Sequence, residues 1–240
     1  MQLKNITYLE AEAYLKKDNL IIIPLGSIEQ HGPGLPLGTD TLLAELIANK
    51  LGERYDVLVA PTITPGISLV PHMNFKGTVS YEAETYTRMI WEFILSLHEH
   101  GFRRFFLVNG HGGNDGAIKN AMTKACYELK EVVYFTQNWW RIESVANRIK
   151  DELGHPPGHA CASEASLMMV SGDALVKKEL LTKEFSETPF QVSNDISSRY
   201  KTKTGVIDAD QTKASLEFGK ELFELIMKEY GKKLLEMKRF

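Results

Sequence analysis

The chain has 240 residues, 43% of them hydrophobic and 25% charged, with a net charge of −3. This length and balance read as one globular domain spanning 1–240, and the charge gives no case for a nucleic-acid partner. No apolar run reaches membrane-spanning length, and no glycine-rich nucleotide-binding motif is present.

The N-terminus lacks a charged-then-apolar leader pattern. The two cysteines, Cys126 and Cys161, form no CxxC pair, so a reducing, cytoplasmic compartment is expected. The first element is a buried strand over 20–26, a continuous apolar run of the kind found in parallel sheets. A glycine- and proline-rich turn follows. A helix over 41–53 is predicted from apolar residues at helical spacing, with Asp40 just ahead of it near the N-cap. A second short strand is predicted at 57–60, then an irregular stretch over 64–80. A helix over 83–100 ends at Gly101. A third strand is predicted at 105–108, a tight turn at 109–114, a helix at 115–129 and a fourth strand at 132–135. Residues 138–162 read as a helix and then a Gly/Pro loop. A short helix over 164–171 and a long amphipathic helix over 211–236 complete the chain.

Alternation of strands and helices predicts a parallel sheet with helices on both faces, and in that architecture sites form beyond the carboxyl ends of the strands. Three unusual segments follow three successive strands: 26–40, 61–80 and 109–114. In the first, Glu29 and His31 are two apart, so in extended chain they leave the same face. The glycines and prolines that follow let the backbone bring Asp40 back to them. Read alone, Asp40 is a helix-capping carboxylate. Glu29 and His31 have no such role, and the three together read as metal ligands.

His111 stands in Asn109-Gly110-His111-Gly112-Gly113-Asn114, where small neighbours leave the imidazole unobstructed. A phosphate site at the following helix is the competing reading. His159 lies in a Gly/Pro loop and reads equally as a surface histidine or a catalytic one. Glu164 opens a short helix, where a carboxylate also suits the helix dipole. Ser68 and His72 suggest acyl transfer, but the chain has no GxSxG, so both read as substrate contacts together with Gly112 and Gly113. Trp139 and Trp140 suit either a pocket wall or the core. Cys161 reads as a small buried residue. Carboxylates and histidines in this number suit two divalent ions about 3.5–4 Å apart, Zn²⁺, Mn²⁺ or Fe²⁺, with a carboxylate bridging them.

Four stretches resemble the creatininase (creatinine amidohydrolase) family: 24–40 (Pro-Leu-Gly-Ser-Ile-Glu-Gln-His-Gly-Pro-Gly-Leu-Pro-Leu-Gly-Thr-Asp), 75–80 (Phe-Lys-Gly-Thr-Val-Ser), 108–114 (Val-Asn-Gly-His-Gly-Gly-Asn) and His-Ala-x-x-x-Glu-x-Ser at 159–166. The resemblance implies a three-layer α/β/α fold with a mainly parallel central sheet, two metal ions per chain and a homohexamer. It places Glu29, Asp40 and His111 on one metal, and His31 with a bridging Asp40 on the other. It makes His159 the catalytic histidine and Glu164 a ligand or a base.

The chain departs from the family's pattern at Gly34, usually histidine. It also departs at Gly112-Gly113, where creatinine-hydrolysing members carry Tyr-Glu, and at Ala160-Cys161-Ala162. The tryptophan those members carry just before the catalytic histidine is absent, with His155 in that region. The resemblance therefore implies a metal-dependent hydrolase of a non-peptide C–N bond (amide, cyclic amide or formamide) in a small molecule, through a metal-activated hydroxide. Creatinine itself is one alternative. Another is a formylaminopyrimidine ribonucleotide, for which Lys76 reads equally as a phosphate neighbour or a surface lysine. The family also includes peptidases. A metabolite-binding protein without catalysis is the reading from a different class.

Overall fold

Leu20–Leu25 forms β1, and all six of its residues are buried. The computed structural model describes residues 1–69, 71–185 and 202–240. β1 pairs in parallel with β2 (Leu58–Val59) on one side and β3 (Arg104–Asn109) on the other, and β3 pairs in parallel with β4 (Val133–Asn138). The sheet order is β2-β1-β3-β4. Pro24 is tolerated in a central strand because β2 has ended before it is reached.

Successive strand side chains point to opposite faces, and the core divides accordingly. Leu20, Ile22, Phe106 and Val108 join one apolar cluster. It is covered by α2 (Thr39–Tyr55), α5 (Glu143–Leu153), α6 (Ala162–Gly172) and α7 (Leu216–Met237). Ile21, Ile23, Leu25, Phe105 and Leu107 join the other, under α1 (Tyr8–Leu15), α3 (Ala83–Glu99) and α4 (Asp115–Glu128). Each of these fully buried side chains contributes about 1.5–3 kcal/mol relative to exposure. The arrangement is the expected three-layer α/β/α, and no helix among the described residues is long and apolar enough to cross a membrane.

Most expected elements are present, with differences that have local causes. Helix α1 was not expected. Its start is marked by a capping box in which the Thr7 hydroxyl accepts the Glu10 N–H and the Glu10 carboxylate accepts the Thr7 N–H. Asp40 is not ahead of α2 but inside its first turn, since the N-cap is Gly38. Helix α7 begins later than expected, after a 3₁₀ turn at Gln211–Lys213, with the Ser215 hydroxyl accepting the Phe218 N–H. A two-residue antiparallel pair, β5 (Lys183–Glu184) with β6 (Ala209–Asp210), gave no sequence signal.

Candidate metal centre

The chain leaves β1 at Gly26 and β3 at Gly110, side by side. A Cβ on Gly110 would lie 2.2 Å from the Asp40 carbonyl oxygen, and one on Gly26 would lie 2.3 Å from Thr41 Oγ1. Glycine at these two points lets the first turn of α2 press against the strand ends, so Asp40 and His111 meet. Asn114 tightens the same corner: its Nδ2 donates to the Gly26 carbonyl at 3.0 Å and its Oδ1 accepts the Ile67 N–H at 3.1 Å.

The result is a buried cluster in which Glu29, His31 and Asp40 are each no more than 2% exposed. Asp40 Oδ1 lies 3.0 Å from His31 Nε2, and Asp40 Oδ2 lies 2.9 Å from His111 Nδ1. Glu29 Oε1 is 3.3 Å from His111 Nδ1, and Glu164 Oε1 is 3.8 Å from His31 Nε2. Among the described residues, three triads offer ligand atoms at mutual distances a cation can span: Glu29–Asp40–His111, His31–Asp40–Glu164 and Glu29–His31–His159. The first two share Asp40.

The chemistry of the donor set fits divalent metal. His31 Nδ1 lies 3.2 Å from the Glu29 carbonyl, and His111 Nε2 lies 2.8 Å from the Ile67 carbonyl. Each imidazole thus gives one N–H to a main-chain oxygen and turns its other nitrogen to the carboxylates, the usual outer-shell arrangement of a metal-ligating histidine. His31 Nε2, 3.0 Å from Asp40, makes no hydrogen bond there, and Glu29 Oε2 is likewise buried without a hydrogen-bond partner. Buried polar atoms normally have partners, and a cation would supply one to both.

Charge divides the histidines into two pairs. Burial opposes protonation of His31 and His111, but Asp40 beside the first and Glu29 beside the second outweigh it and hold both well above the ordinary histidine value. Burial likewise opposes ionisation of Asp40, and His31 and His111 hold its carboxyl well below the usual range. His72 and His159 go the other way. Burial, reinforced by His111 near the first and His31 near the second, pushes each down to about 3, so both are neutral.

The cluster forms the floor of a cavity of about 300 Å³, with Trp139, Trp140, Gly112, Gly113, Pro157 and Gly158 in its walls. Glu29, Asp40, His72, His111, His159 and Glu164 all line it. His31 sits behind them, buried. Ser68 is also buried, with Oγ 3.4 Å from His111 Nε2, and does not line the cavity. It packs beneath His111 instead of facing the cavity. Lys76 is exposed and outside the cavity wall. Cys161 is buried in the wall, and burial, with Glu164 adding to it, pushes its thiol up to about 11.

Of the two glycines after His111, only Gly113 is fixed by space. A Cβ on Gly113 would lie 2.3 Å from the Ile67 carbonyl oxygen and 2.4 Å from His111 Nε2, whereas one on Gly112 meets only Trp140 at 3.7 Å. This backbone leaves no room for glutamate at 113, and Glu164 instead completes the second triad from α6. The supporting groups Gln30, Asn114 and the Ile67 carbonyl were not expected. Gln30 and Asn114 lie inside the quoted motifs, but nothing in the sequence marks Ile67, because only its main chain acts.

A parallel-sheet α/β/α protein with buried carboxylates and histidines at the strand ends is thereby defined. A family model described as creatinine amidohydrolase matches residues 4–234, and the chain belongs to the creatininase family. A mycofactocin precursor peptide peptidase from Mycobacterium tuberculosis is 42% identical over 112 residues, which cover 42% of this chain and 44% of that protein. The match thus spans less than half the length of that relative. A creatinine amidohydrolase from Pseudomonas putida is 30% identical over 179 residues, 68% of this chain and 69% of that protein. A crystal structure of a creatinine amidohydrolase superposes with a TM-score of 0.89 at 24% identity, covering 99% of this chain and 97% of that one, which shows a common fold.

Proposed function

We propose that this chain is a metal-dependent hydrolase of a C–N bond (amide, cyclic amide or formamide) in a small molecule. The observation that carries this reading is the position of Asp40, whose two oxygens face the free nitrogens of His31 and His111 in two separate triads. Paired divalent ions, when bound, activate water and polarise a carbonyl oxygen. Solved creatininases include a manganese form and a zinc–zinc form, which supports the same ions here.

The protein's own groups supply the rest. Glu29, Asp40 and His111 would hold one ion, and His31, Asp40 and Glu164 would hold the other. His159 is neutral and turns Nδ1 towards Glu29 Oε1 at 3.5 Å, so it can take a proton from attacking water and return it to the leaving nitrogen. His72, Gly112 and Gly113 contact the substrate, and the two tryptophans wall a cavity sized for a small molecule. The free thiols and the family resemblance support a cytoplasmic homo-oligomer, hexameric in the family's pattern, built from one domain.

A peptide-bond substrate is the second reading, favoured by the identity to the mycobacterial peptidase. One experiment covers both: elemental analysis of dialysed wild-type protein and Asp40→Ala, followed by incubation with a formylamino compound, creatinine and a short peptide. About two equivalents of metal per wild-type chain are expected, together with turnover of one of these substrates and loss of both metal and turnover in Asp40→Ala. A wild-type protein that takes up no metal on reconstitution overturns the reading and leaves a metabolite-binding protein in its place.

A further inference from the structure

Four imidazoles meet at this site, and three of them share one pattern. His31, His111 and His159 each place one ring nitrogen against a main-chain carbonyl: Glu29 at 3.2 Å, Ile67 at 2.8 Å and Gln30 at 2.9 Å. A carbonyl only accepts, so each of those nitrogens carries a proton, and the opposite nitrogen is turned towards the carboxylates. His72 differs. Its Nδ1 lies 3.2 Å from the side-chain nitrogen of Gln30, a group that only donates.

The orientation of that amide is settled by its neighbours. Gln30 Oε1 accepts the Gly32 N–H at 3.0 Å, which puts the NH₂ on the other side. The NH₂ is 2.9 Å from the Gly205 carbonyl, 3.2 Å from His72 Nδ1 and 3.0 Å from His159 Nε2. It has two hydrogens for three neighbours. His159 Nε2 already donates to the Gln30 main-chain carbonyl and has no lone pair to offer. The two hydrogens therefore go to Gly205 and to His72. His72 Nδ1 is then an acceptor, so its proton is on Nε2, the nitrogen that lies 3.7 Å from Glu29 Oε2.

We propose that Gln30 is a positioning residue that fixes His72 in the Nε2–H form, so that His72 is held as a proton donor to the cavity by a side-chain amide, while His111 and His159 are fixed through main-chain carbonyls. A substrate matched to this site presents an acceptor, such as a carbonyl or ring nitrogen, to His72 Nε2. Gly205 belongs to the same device, because a Cβ there would lie inside the space of Gln30 Oε1 and displace the amide. The use of this donor in turnover rests on the hydrolase reading; the tautomer itself does not.

The test is long-range proton–nitrogen NMR on protein carrying ¹⁵N-histidine and loaded with zinc, with His72 signals assigned through His72→Asn. In the wild type, His72 Nε2 is expected at the protonated position and Nδ1 at the unprotonated one. In Gln30→Leu the two His72 signals move towards each other as the tautomers mix, and in Gln30→Glu the proton shifts to Nδ1. The His31 and His111 signals stay in place in both. Gly205→Ala provides a second route to the same loss if a Gln30 variant fails to fold. The proposal fails if wild-type His72 carries its proton on Nδ1, if Gln30→Leu leaves both His72 signals unmoved, or if all four histidines shift together. These readings need no turnover, so an inactive protein with the expected tautomers would remove the hydrolase assignment and leave the positioning role standing.

Discussion

Glu164 accepts the N–H of Cys161 through Oε2 at 3.0 Å, closing a capping box at the start of α6. Its other oxygen faces His31. One side chain therefore both caps the start of a helix and reaches the candidate metal centre, and two substitutions separate these roles. Glu164→Gln keeps an oxygen for the cap and loses the charge. Its thermal unfolding is expected to stay close to the wild type, while zinc content falls by one equivalent. Glu164→Ala loses the cap as well, at a cost of about 0.5–2 kcal/mol in denaturant unfolding. If Glu164→Gln retains the full metal content, Glu164 is not a ligand.

The contrast between Gly112 and Gly113 is sharper than the sequence suggests. Gly112→Ala is expected to fold with nearly wild-type stability, since its Cβ meets only the edge of Trp140. Gly113→Ala forces Ile67 and His111 apart and is expected to cost about 1–3 kcal/mol, with weaker zinc binding because His111 is displaced. Chelator competition and urea unfolding of the two variants decide it. Equal behaviour would mean that the backbone at 113 yields freely.

Cys161 gives a pH-dependent prediction. Burial raises its thiol to about 11, so the folded state keeps a proton that the unfolded chain releases near pH 9. The stability linked to this thiol is complete below about pH 9 and is lost as pH rises towards 11, by on the order of 2–3 kcal/mol. The difference between wild type and Cys161→Ala in unfolding from pH 8 to 10.5 isolates this slope, since Cys126 and the buried tyrosines Tyr14, Tyr86 and Tyr230, also held up by burial, contribute to both proteins. At pH 8 a thiol reagent should find one reactive group in the native protein, the exposed Cys126, and both after unfolding.

Much of the fold was legible because the signals are local. The apolar run at 20–25 and the helical spacings at 41–53 and 83–100 act through the residues that carry them. Helix α1 was equally legible in principle, since Thr7 and Glu10 form the capping pattern, but no apolar periodicity accompanies it. The clustering of Glu29, His31, Asp40 and His111 was also readable, because unusual residue types stand in glycine-rich segments at strand ends. The placement of Ser68 beneath His111 was not, because which side of a loop faces a cavity depends on what packs behind it.

The sequence by itself determined the residue types of the site and, through alternating strands and helices, the sheet edge where they gather. Only the tertiary structure decided that Asp40 is shared between two triads, that Glu164 closes the second, and that main-chain carbonyls at Glu29, Gln30 and Ile67 set which imidazole nitrogens turn towards the carboxylates. The reason is physical. A ligand's identity belongs to its side chain. Its protonation and partners come from neighbours far away along the chain, 129 residues in the case of Gln30 and His159, and these are brought within hydrogen-bond distance only when the sheet and its helices close together.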